Sequence, residues 1–356
     1  MKKFLGVMIA LFAVLLIVGC GDNGGNDTDD DNGYDDNGYE EENGYDDNDN
    51  GEEANDNGDD NGSGATNGEI VVVTPAAEHG WLAGVIYFAE EAGSELGFDN
   101  FRILTSTDIA EQAGQLDELI SQGVGAIVLQ PHTYEIEVAA ERVIDAGIPL
   151  VLFNRHAEVD YDAYVAGSNM MMGEEAARKI GDGLNGEGIV ITVANPGAGS
   201  TSAVRNEGFA NIMDEYFPDI ERIEMTVENF TQEAALSSMA DVLVANPQID
   251  AIFSIDDETS LGILQAIREA GRDDIQFISG GGGAQTYFRE IYDEDNITLF
   301  SATYSPRMMG DAIRVANRIL NGEAISELDE NNQWIIPPSI ITSDNVSNYF
   351  AEDSPY

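Results

Sequence analysis

The amino-acid sequence predicts an α/β fold in which two similar halves each build a parallel β-sheet covered by helices. From residue 69 onward, short apolar runs alternate with stretches of helical periodicity, the order that gives right-handed β–α–β crossovers. The same pattern begins again at Gly188. The stretch 69–356 is long enough for two domains with cores of their own.

The first strand and helix, residues 70–97, set the pattern for the rest. Residues 71–73 are consecutive valines, as expected for a strand buried on both faces. From Trp81 to Leu96 the apolar residues follow helical spacing, and Gly97 is a helix stop. Ligands of parallel sheets bind beyond the carboxyl ends of strands, so the loop that holds Glu78, His79 and Trp81 is predicted to face a ligand.

The remaining elements follow in order. Further strands of the first half are predicted at 101–104, 126–129, 148–153 and 164–167, separated by helical stripes at 109–120, 136–144 and 170–184. In the second half, strands are predicted at 188–193, 223–227, 251–254, 276–279 and 298–301, with helices around Phe209 and at 234–244, 261–270 and 306–320.

The two ends of the chain differ from this pattern. Residues 1–19 carry Lys2, Lys3 and an apolar run, which predicts an export signal peptide. The run closes on Leu-Ile-Val-Gly-Cys20, which resembles the lipobox of bacterial lipoproteins and implies a membrane anchor through lipidated Cys20. The alternative is a simple signal peptide followed by a chance cysteine. Cys20 is the only cysteine, so a disulfide within the chain is excluded.

Residues 20–68 are predicted to form a disordered acidic linker. Between Gly21 and Gly68 there is no Lys, Arg, Leu, Ile, Val or Phe, so this stretch cannot bury a core. The whole chain has 67 Asp and Glu against 15 Lys and Arg, a formal net charge of −52. Such a surface repels phosphate backbones, which excludes a nucleic-acid partner.

Several short sequence signatures resemble the type I periplasmic binding proteins, in particular their sugar-binding group. The resemblance covers about residues 69–345. It rests on the first strand with its loop, Gln130-Pro131, Asn154-Arg155, Arg205-Asn-Glu-Gly-Phe209, Phe230, Asp256-Asp257 and Tyr304-Ser-Pro306. It implies two Rossmann-like lobes with parallel sheets joined by a three-strand hinge. The implied lobes are 69–168 with 305–334, and 169–304 with 335–356.

Carried over by position, the resemblance implies a ligand site between the lobes. Side chains of Asn, Asp and Arg present paired donors or acceptors to adjacent hydroxyls, and aromatic rings cover the C–H faces of a sugar. Alternatives stay open: helix packing for Trp81, helix capping for Asp256, and surface charge for the two arginines. The implied ligand-binding residues are His79, Trp81, Gln130, Asn154, Arg155, Arg205, Phe230, Asp256 and Tyr304.

One stretch departs from the family pattern. The family often has an aspartate after the strand at 276–279, where this chain has Gly281 within the run Gly280–Gly283. The run lacks the Lys-Ser/Thr of a P-loop, so it is interpreted as a turn or as a close approach of backbone to ligand. Because the aspartate of the family is absent, ribose is not the expected ligand.

The predicted function is capture of a monosaccharide or related polyol and its delivery to the permease of an ABC importer. We expect a monomer without a cofactor and without catalytic activity, since no nucleophile–base pair stands out. One alternative is a sensor that presents its ligand state to a membrane signalling protein. Another is zinc binding by His79, His132 and His156, which all follow strands.

Overall fold

The computed structural model describes residues 68–77, 80–97, 101–351 and 353–356. The predicted signal peptide, Cys20, the acidic linker up to residue 67, Glu78 and His79 lie outside these residues. None of the described helices combines the length and the apolar composition that a membrane span needs.

Strands and helices alternate through most of the described chain. The strands are β1 (Ile70–Pro75), β2 (Phe101–Ser106), β3 (Ala126–Leu129), β4 (Leu150–Phe153), β5 (Ala163–Gly167), β6 (Gly188–Ala194), β7 (Ile220–Thr226), β8 (Ala251–Phe253), β9 (Phe277–Gly282), β10 (Thr298–Thr303), β11 (Gln333–Ile336) and β12 (Ile340–Ile341). The helices are α1 (Gly80–Glu95), α2 (Ile109–Gln122), α3 (Glu137–Asp145), α4 (Asn169–Gly183), α5 (Ser200–Tyr216), α6 (Gln232–Ala245), α7 (Asp257–Ala270), α8 (Gln285–Asp293) and α9 (Met308–Leu320).

These elements form two six-stranded sheets. The first has the order β11-β5-β4-β3-β1-β2 and is parallel throughout. The second has the order β12-β10-β9-β8-β6-β7 and is parallel except for β12, which runs antiparallel to β10. We call the first sheet with α1, α2, α3 and α9 the first lobe, and the second sheet with α4 to α8 the second lobe.

The chain passes between the sheets three times, from β5 to α4, from β10 to α9 and from β11 to β12. The predicted α/β class with two parallel sheets and three crossovers is therefore confirmed. Strand β11 pairs with β5 as far as Ile336, so the first sheet continues two residues beyond the predicted boundary at residue 334.

Burial on both faces explains the continuous apolar runs of the central strands. In β1, Ile70 and Val72 belong to the core formed with α1 and α9, whereas Val71 and Val73 belong to the core formed with α2 and α3. All four side chains are fully buried. Side chains that alternate between two apolar layers leave no face for polar residues.

The glycine run is not the predicted turn, because β9 continues through Gly282. Gly280 and Gly281 pair with Ser301 and Ala302 of β10. A Cβ on Gly280 would lie 2.2 Å from Asp257 Oδ1, and one on Gly281 would lie 2.8 Å from the Ile255 carbonyl oxygen. The close approach that requires glycine is thus to the start of α7. Helix α8 and strands β11 and β12 were also missed by the sequence analysis.

Candidate functional site

A cavity of about 490 Å³ lies between the lobes, at the carboxyl ends of their strands. This is the edge at which parallel α/β sheets bind ligands. All eight predicted site residues that the structure describes line it. They are Trp81, Gln130, Asn154, Arg155, Arg205, Phe230, Asp256 and Tyr304.

Trp81 serves both packing and the cavity wall. Its ring is parallel to that of Phe153, with centroids 6.2 Å apart, and it packs against the core of the first lobe. Its Nε1 donates a hydrogen bond of 2.7 Å to the carbonyl oxygen of Tyr304 in the β10–α9 crossover. Trp81 therefore packs against the core and also lines the cavity, and the hydrogen bond fixes the indole beside the β10–α9 crossover.

Asn154 and Tyr304 form a hydrogen-bonded pair in the cavity. Asn154 has φ of 64°, a left-handed conformation that asparagine tolerates better than most residues, and this turns it away from the end of β4. The Tyr304 hydroxyl donates to Asn154 Oδ1 at 2.8 Å. Burial raises the pKa of Tyr304 to about 12, so its hydroxyl remains a donor at neutral pH. Because Oδ1 accepts this bond, the amide NH₂ group of Asn154 is left as a hydrogen-bond donor to the cavity.

Arg205 is the most constrained cation of the cavity. It is only 7% exposed, its Nε donates to Asn169 Oδ1 at 2.8 Å, and its Nη1 donates to the Ile255 carbonyl oxygen at 2.6 Å. The guanidinium lies over the Tyr304 ring, 5.3 Å from the centroid. Burial lowers its pKa, and nearby acidic groups oppose that shift. These contacts hold the guanidinium in one orientation toward the cavity.

The other strand-end side chains are also held in place. Gln130 is 2% exposed and accepts a hydrogen bond of 2.9 Å at Oε1 from the Thr74 hydroxyl. The Arg155 guanidinium donates to the His132 carbonyl oxygen, and burial at the cavity lowers the pKa of Arg155. Phe230, in the loop after β7, packs partly against the core of the second lobe. Donors from the first lobe thus face an aromatic side chain from the second.

The two adjacent aspartates have separate tasks. Asp256 lines the cavity and caps α7, accepting from the backbone N–H of Thr259 at 2.9 Å and from its hydroxyl. Asp257 is fully buried behind it and accepts from the Ser301 hydroxyl at 2.7 Å and from the backbone N–H groups of Gly283 and Ala284. Asp256 thus caps α7 and also lines the cavity, whereas Asp257 fixes the end of β9.

Asp256 is expected to make stability depend on pH. Burial raises its pKa from 3.8 to about 6, against the hydrogen bonds of Thr259. The folded state therefore binds the proton more tightly than the unfolded state, and ionisation of Asp256 destabilises the fold as pH rises from about 4 through 6. The Asp256→Asn variant should gain about 2 kcal/mol in free energy of unfolding relative to wild type between pH 4 and 7.

Denaturant unfolding of both proteins at several pH values measures this difference. Carboxylates that do not interact with Asp256 titrate equally in both proteins, so the difference between them reports on Asp256 and its neighbour Asp257. A difference that stays constant from pH 4 to 7 would contradict the raised pKa.

Comparison with known proteins places the chain in a family. Residues 70–324 match the family described as periplasmic binding protein domain. The chain belongs to this family. It is 30% identical over 245 residues to the ribose import binding protein of Bacillus subtilis, covering 67% of this chain and 77% of that protein. It is 28% identical over 248 residues to the xylitol-binding protein of Mycolicibacterium smegmatis, covering 68% of each.

Solved structures of periplasmic binding proteins share the fold. A solute-binding protein of Actinobacillus succinogenes with bound D-allose has a TM-score of 0.69 at 19% identity, covering 79% of this chain and all of that one. A solute-binding protein of Bacillus halodurans with bound myo-inositol has a TM-score of 0.69 at 22% identity, covering 83% of this chain and all of that one.

The cavity of this periplasmic binding protein has further walls that the sequence analysis did not assign to it. His132 could have been found, since it stands two residues after Gln130 at the end of the same strand. Asn169 and Thr201 begin helices α4 and α5, and Glu258 follows the two aspartates. Tyr356 gave no sequence signal, because nothing in its surroundings marks it as near a strand end. These additional lining residues include Thr107, His132, Asn169, Gly197, Thr201, Glu258 and Tyr356.

The described histidines do not form a metal centre. His132 Nε2 lies 3.0 Å from both the hydroxyl and the carbonyl oxygen of Ser106, at the cavity. His156 packs edge-on against Tyr161 and Tyr164. Among the residues that the structure describes, no three His, Cys, Asp or Glu side chains are placed to hold a metal ion. His79, the third member of the zinc alternative, lies outside that part of the chain.

Proposed function

We propose that this periplasmic binding protein is an extracytoplasmic receptor that captures a monosaccharide or related polyol and delivers it to an ABC importer. The observation that carries the proposal is the convergence of paired donors and acceptors with aromatic rings on one cavity. Asn154, Arg155 and Arg205 offer hydrogen bonds to adjacent hydroxyls, Asp256 accepts them, and Trp81 presents a ring to C–H surfaces.

The charge balance of the cavity supports a neutral ligand. Two arginines, Arg155 and Arg205, stand opposite two carboxylates, Asp256 and Glu258. A charged ligand buried here would leave either the arginines or the carboxylates without a partner of opposite charge. The relatives named for ribose and xylitol, and the neighbours with bound allose and myo-inositol, fit the same ligand class.

The ligand differs from ribose in what it needs near β9. Gly281 lines the cavity, and no side chain fits at this position, since a Cβ would lie 2.8 Å from both Met172 Cε and the Ile255 carbonyl oxygen. A carboxylate contact from this position is therefore absent. We propose a ligand with fewer hydroxyl groups at the end that faces Gly281.

The rest of the assignment follows from the same proposal. The lobes correspond to 69–168 with 305–336 and 169–304 with 337–356, and they close on the ligand as a monomer. A closed form offers the permease a surface that the open form lacks. Lipidated Cys20 anchors the protein at the outer face of a membrane, and the acidic segment 20–68 separates the lobes from it.

Isothermal titration against pentoses, hexoses, xylitol and myo-inositol tests the proposal. We expect one ligand to bind with a stoichiometry of one and a dissociation constant in the micromolar range or tighter. A micromolar constant corresponds to a binding free energy of about −8 kcal/mol. Scattering should show compaction when that ligand is added. A protein that binds no member of the panel, or binds without compaction, would contradict the proposed receptor function.

A further inference from the structure

Tyr356 reaches the cavity from a part of the chain that belongs to neither sheet. It stands eight residues after the 3₁₀-helix Val346–Asn348. Its side chain lines the cavity together with Trp81 and Tyr304. The ring therefore forms a wall of the site that the strand-end residues do not supply.

Three glycines provide the space for this ring. A Cβ on Gly80 would lie 3.0 Å from Tyr356 Cδ2, and one on Gly84 would lie 3.1 Å from Tyr356 Cβ. A Cβ on Gly282 would lie 2.3 Å from the Tyr356 hydroxyl oxygen. Gly80 and Gly84 belong to α1 of the first lobe and Gly282 to β9 of the second. The ring of Tyr356 thus spans the gap between the lobes.

The segment that carries Tyr356 is attached to the second lobe. Gln285 of α8 donates from Nε2 to the Tyr349 carbonyl oxygen at 3.1 Å and accepts at Oε1 from the Ala351 N–H at 2.8 Å. The ring of Phe350 packs edge-on against that of Tyr292, with centroids 5.8 Å apart. Because its anchor is on α8 while its ring lies beside α1, a movement of one lobe against the other would change the contact between Tyr356 and α1.

The hydroxyl of Tyr356 lies in an acidic part of the cavity. Burial raises its pKa well above the ordinary value, and Asp257, Asp256 and Glu258 add to that shift. A phenol in these surroundings stays protonated and can donate a hydrogen bond. It therefore offers a ligand both an aromatic face and a donor.

We propose that Tyr356 is a specificity-determining residue that closes the cavity between α1 and β9 and restricts the site to ligands of a single ring. This inference rests on the proposed function. A second sugar ring attached to the ligand at this end would have to occupy the space that the Tyr356 side chain fills. The ring also blocks the exit on this side, so it slows ligand release.

The experiment compares Tyr356→Ala and Tyr356→Phe in the full-length chain, with Tyr216→Ala as a matched control on the exposed face of α5. Affinity for the monosaccharide or polyol found in the panel, and for disaccharides that contain it, is measured by titration. Dissociation is measured by stopped-flow tryptophan fluorescence. We expect Tyr356→Ala to weaken the single-ring ligand about tenfold, to speed its dissociation and to admit disaccharides.

Tyr356→Phe keeps the ring and should keep the size limit, while Tyr216→Ala should behave as wild type. If Tyr356→Ala keeps the affinity and the dissociation rate of the wild type and still excludes disaccharides, the inference is overturned while the receptor function stays intact. Failure of the wild-type protein to bind any sugar would instead contradict the proposed function.

A second measurement needs no ligand. In a Trp334→Phe background, Trp81 is the remaining tryptophan and reports access to the cavity. Tyr356→Ala should increase acrylamide quenching of Trp81, because the wall at α1 is removed. Quenching equal to that of the Trp334→Phe parent would overturn the inference independently of the sugar panel.

Discussion

Replacing Arg205 by alanine should reduce ligand affinity by at least about 100-fold, the largest effect that we expect from a side chain of the cavity. The guanidinium is buried and oriented by Asn169 and Ile255, so it is a fixed, charged donor to ligand hydroxyls. Its loss also leaves the Ile255 carbonyl oxygen without this donor and Tyr304 without the cation over its ring. Titration with the ligand found in the panel measures the effect.

A matched control is available on the neighbouring helix. Arg178 is exposed and lies 4.0 Å from Glu175 on the surface of α4, so Arg178→Ala should bind the ligand as wild type does. Arg205→Lys should recover only part of the affinity, because an ammonium group cannot reproduce the fork of a guanidinium. Full affinity in Arg205→Ala would remove this residue from the site.

Replacing Gly173 by alanine should destabilise the protein by about 3 kcal/mol or more, because α4 and α5 are in contact at this point. A Cβ on Gly173 would lie 2.0 Å from the Arg205 carbonyl oxygen and 2.7 Å from the Phe209 backbone nitrogen. Neither backbone atom can move without shifting α5, the helix that positions Arg205. Denaturant unfolding measures the loss, and a displaced α5 should weaken ligand binding as well.

Gly114→Ala is the control for this substitution. Gly114 lies on the exposed side of α2, and a Cβ there would meet no atom within 4 Å. The exchange should stabilise the protein by about 0.5–1 kcal/mol through helix propensity alone. Equal effects of the two substitutions would show that the α4–α5 contact tolerates a methyl group.

The resemblance to the family supplied Gln130, Asn154 and Asp256, and all three line the cavity. They stand within three residues after a strand, and the carboxyl ends of parallel strands share one edge of a sheet. Arg205, Phe230 and Tyr304 rested on the resemblance alone and line the same cavity. Residues with neither signal, such as Thr201, were missed.

The glycine run shows where local rules failed. Consecutive glycines have no side-chain pattern, so the sequence could not distinguish a strand from a turn. Pairing with β10 and the closeness of Asp257 decided that Gly280–Gly282 extend β9. Glycine is required at Gly280 because Asp257, more than twenty residues away along the chain, lies against this strand.

The sequence alone determined the alternation of strands and helices and the α/β class with two similar halves. These follow from periodicity and from the geometry of parallel sheets, which act over a few residues. Tertiary structure alone decided that Tyr356 stands in the cleft and that Trp81 is tied to the hinge through the Tyr304 carbonyl. Such contacts join residues far apart in the chain, and their formation depends on how the two lobes pack.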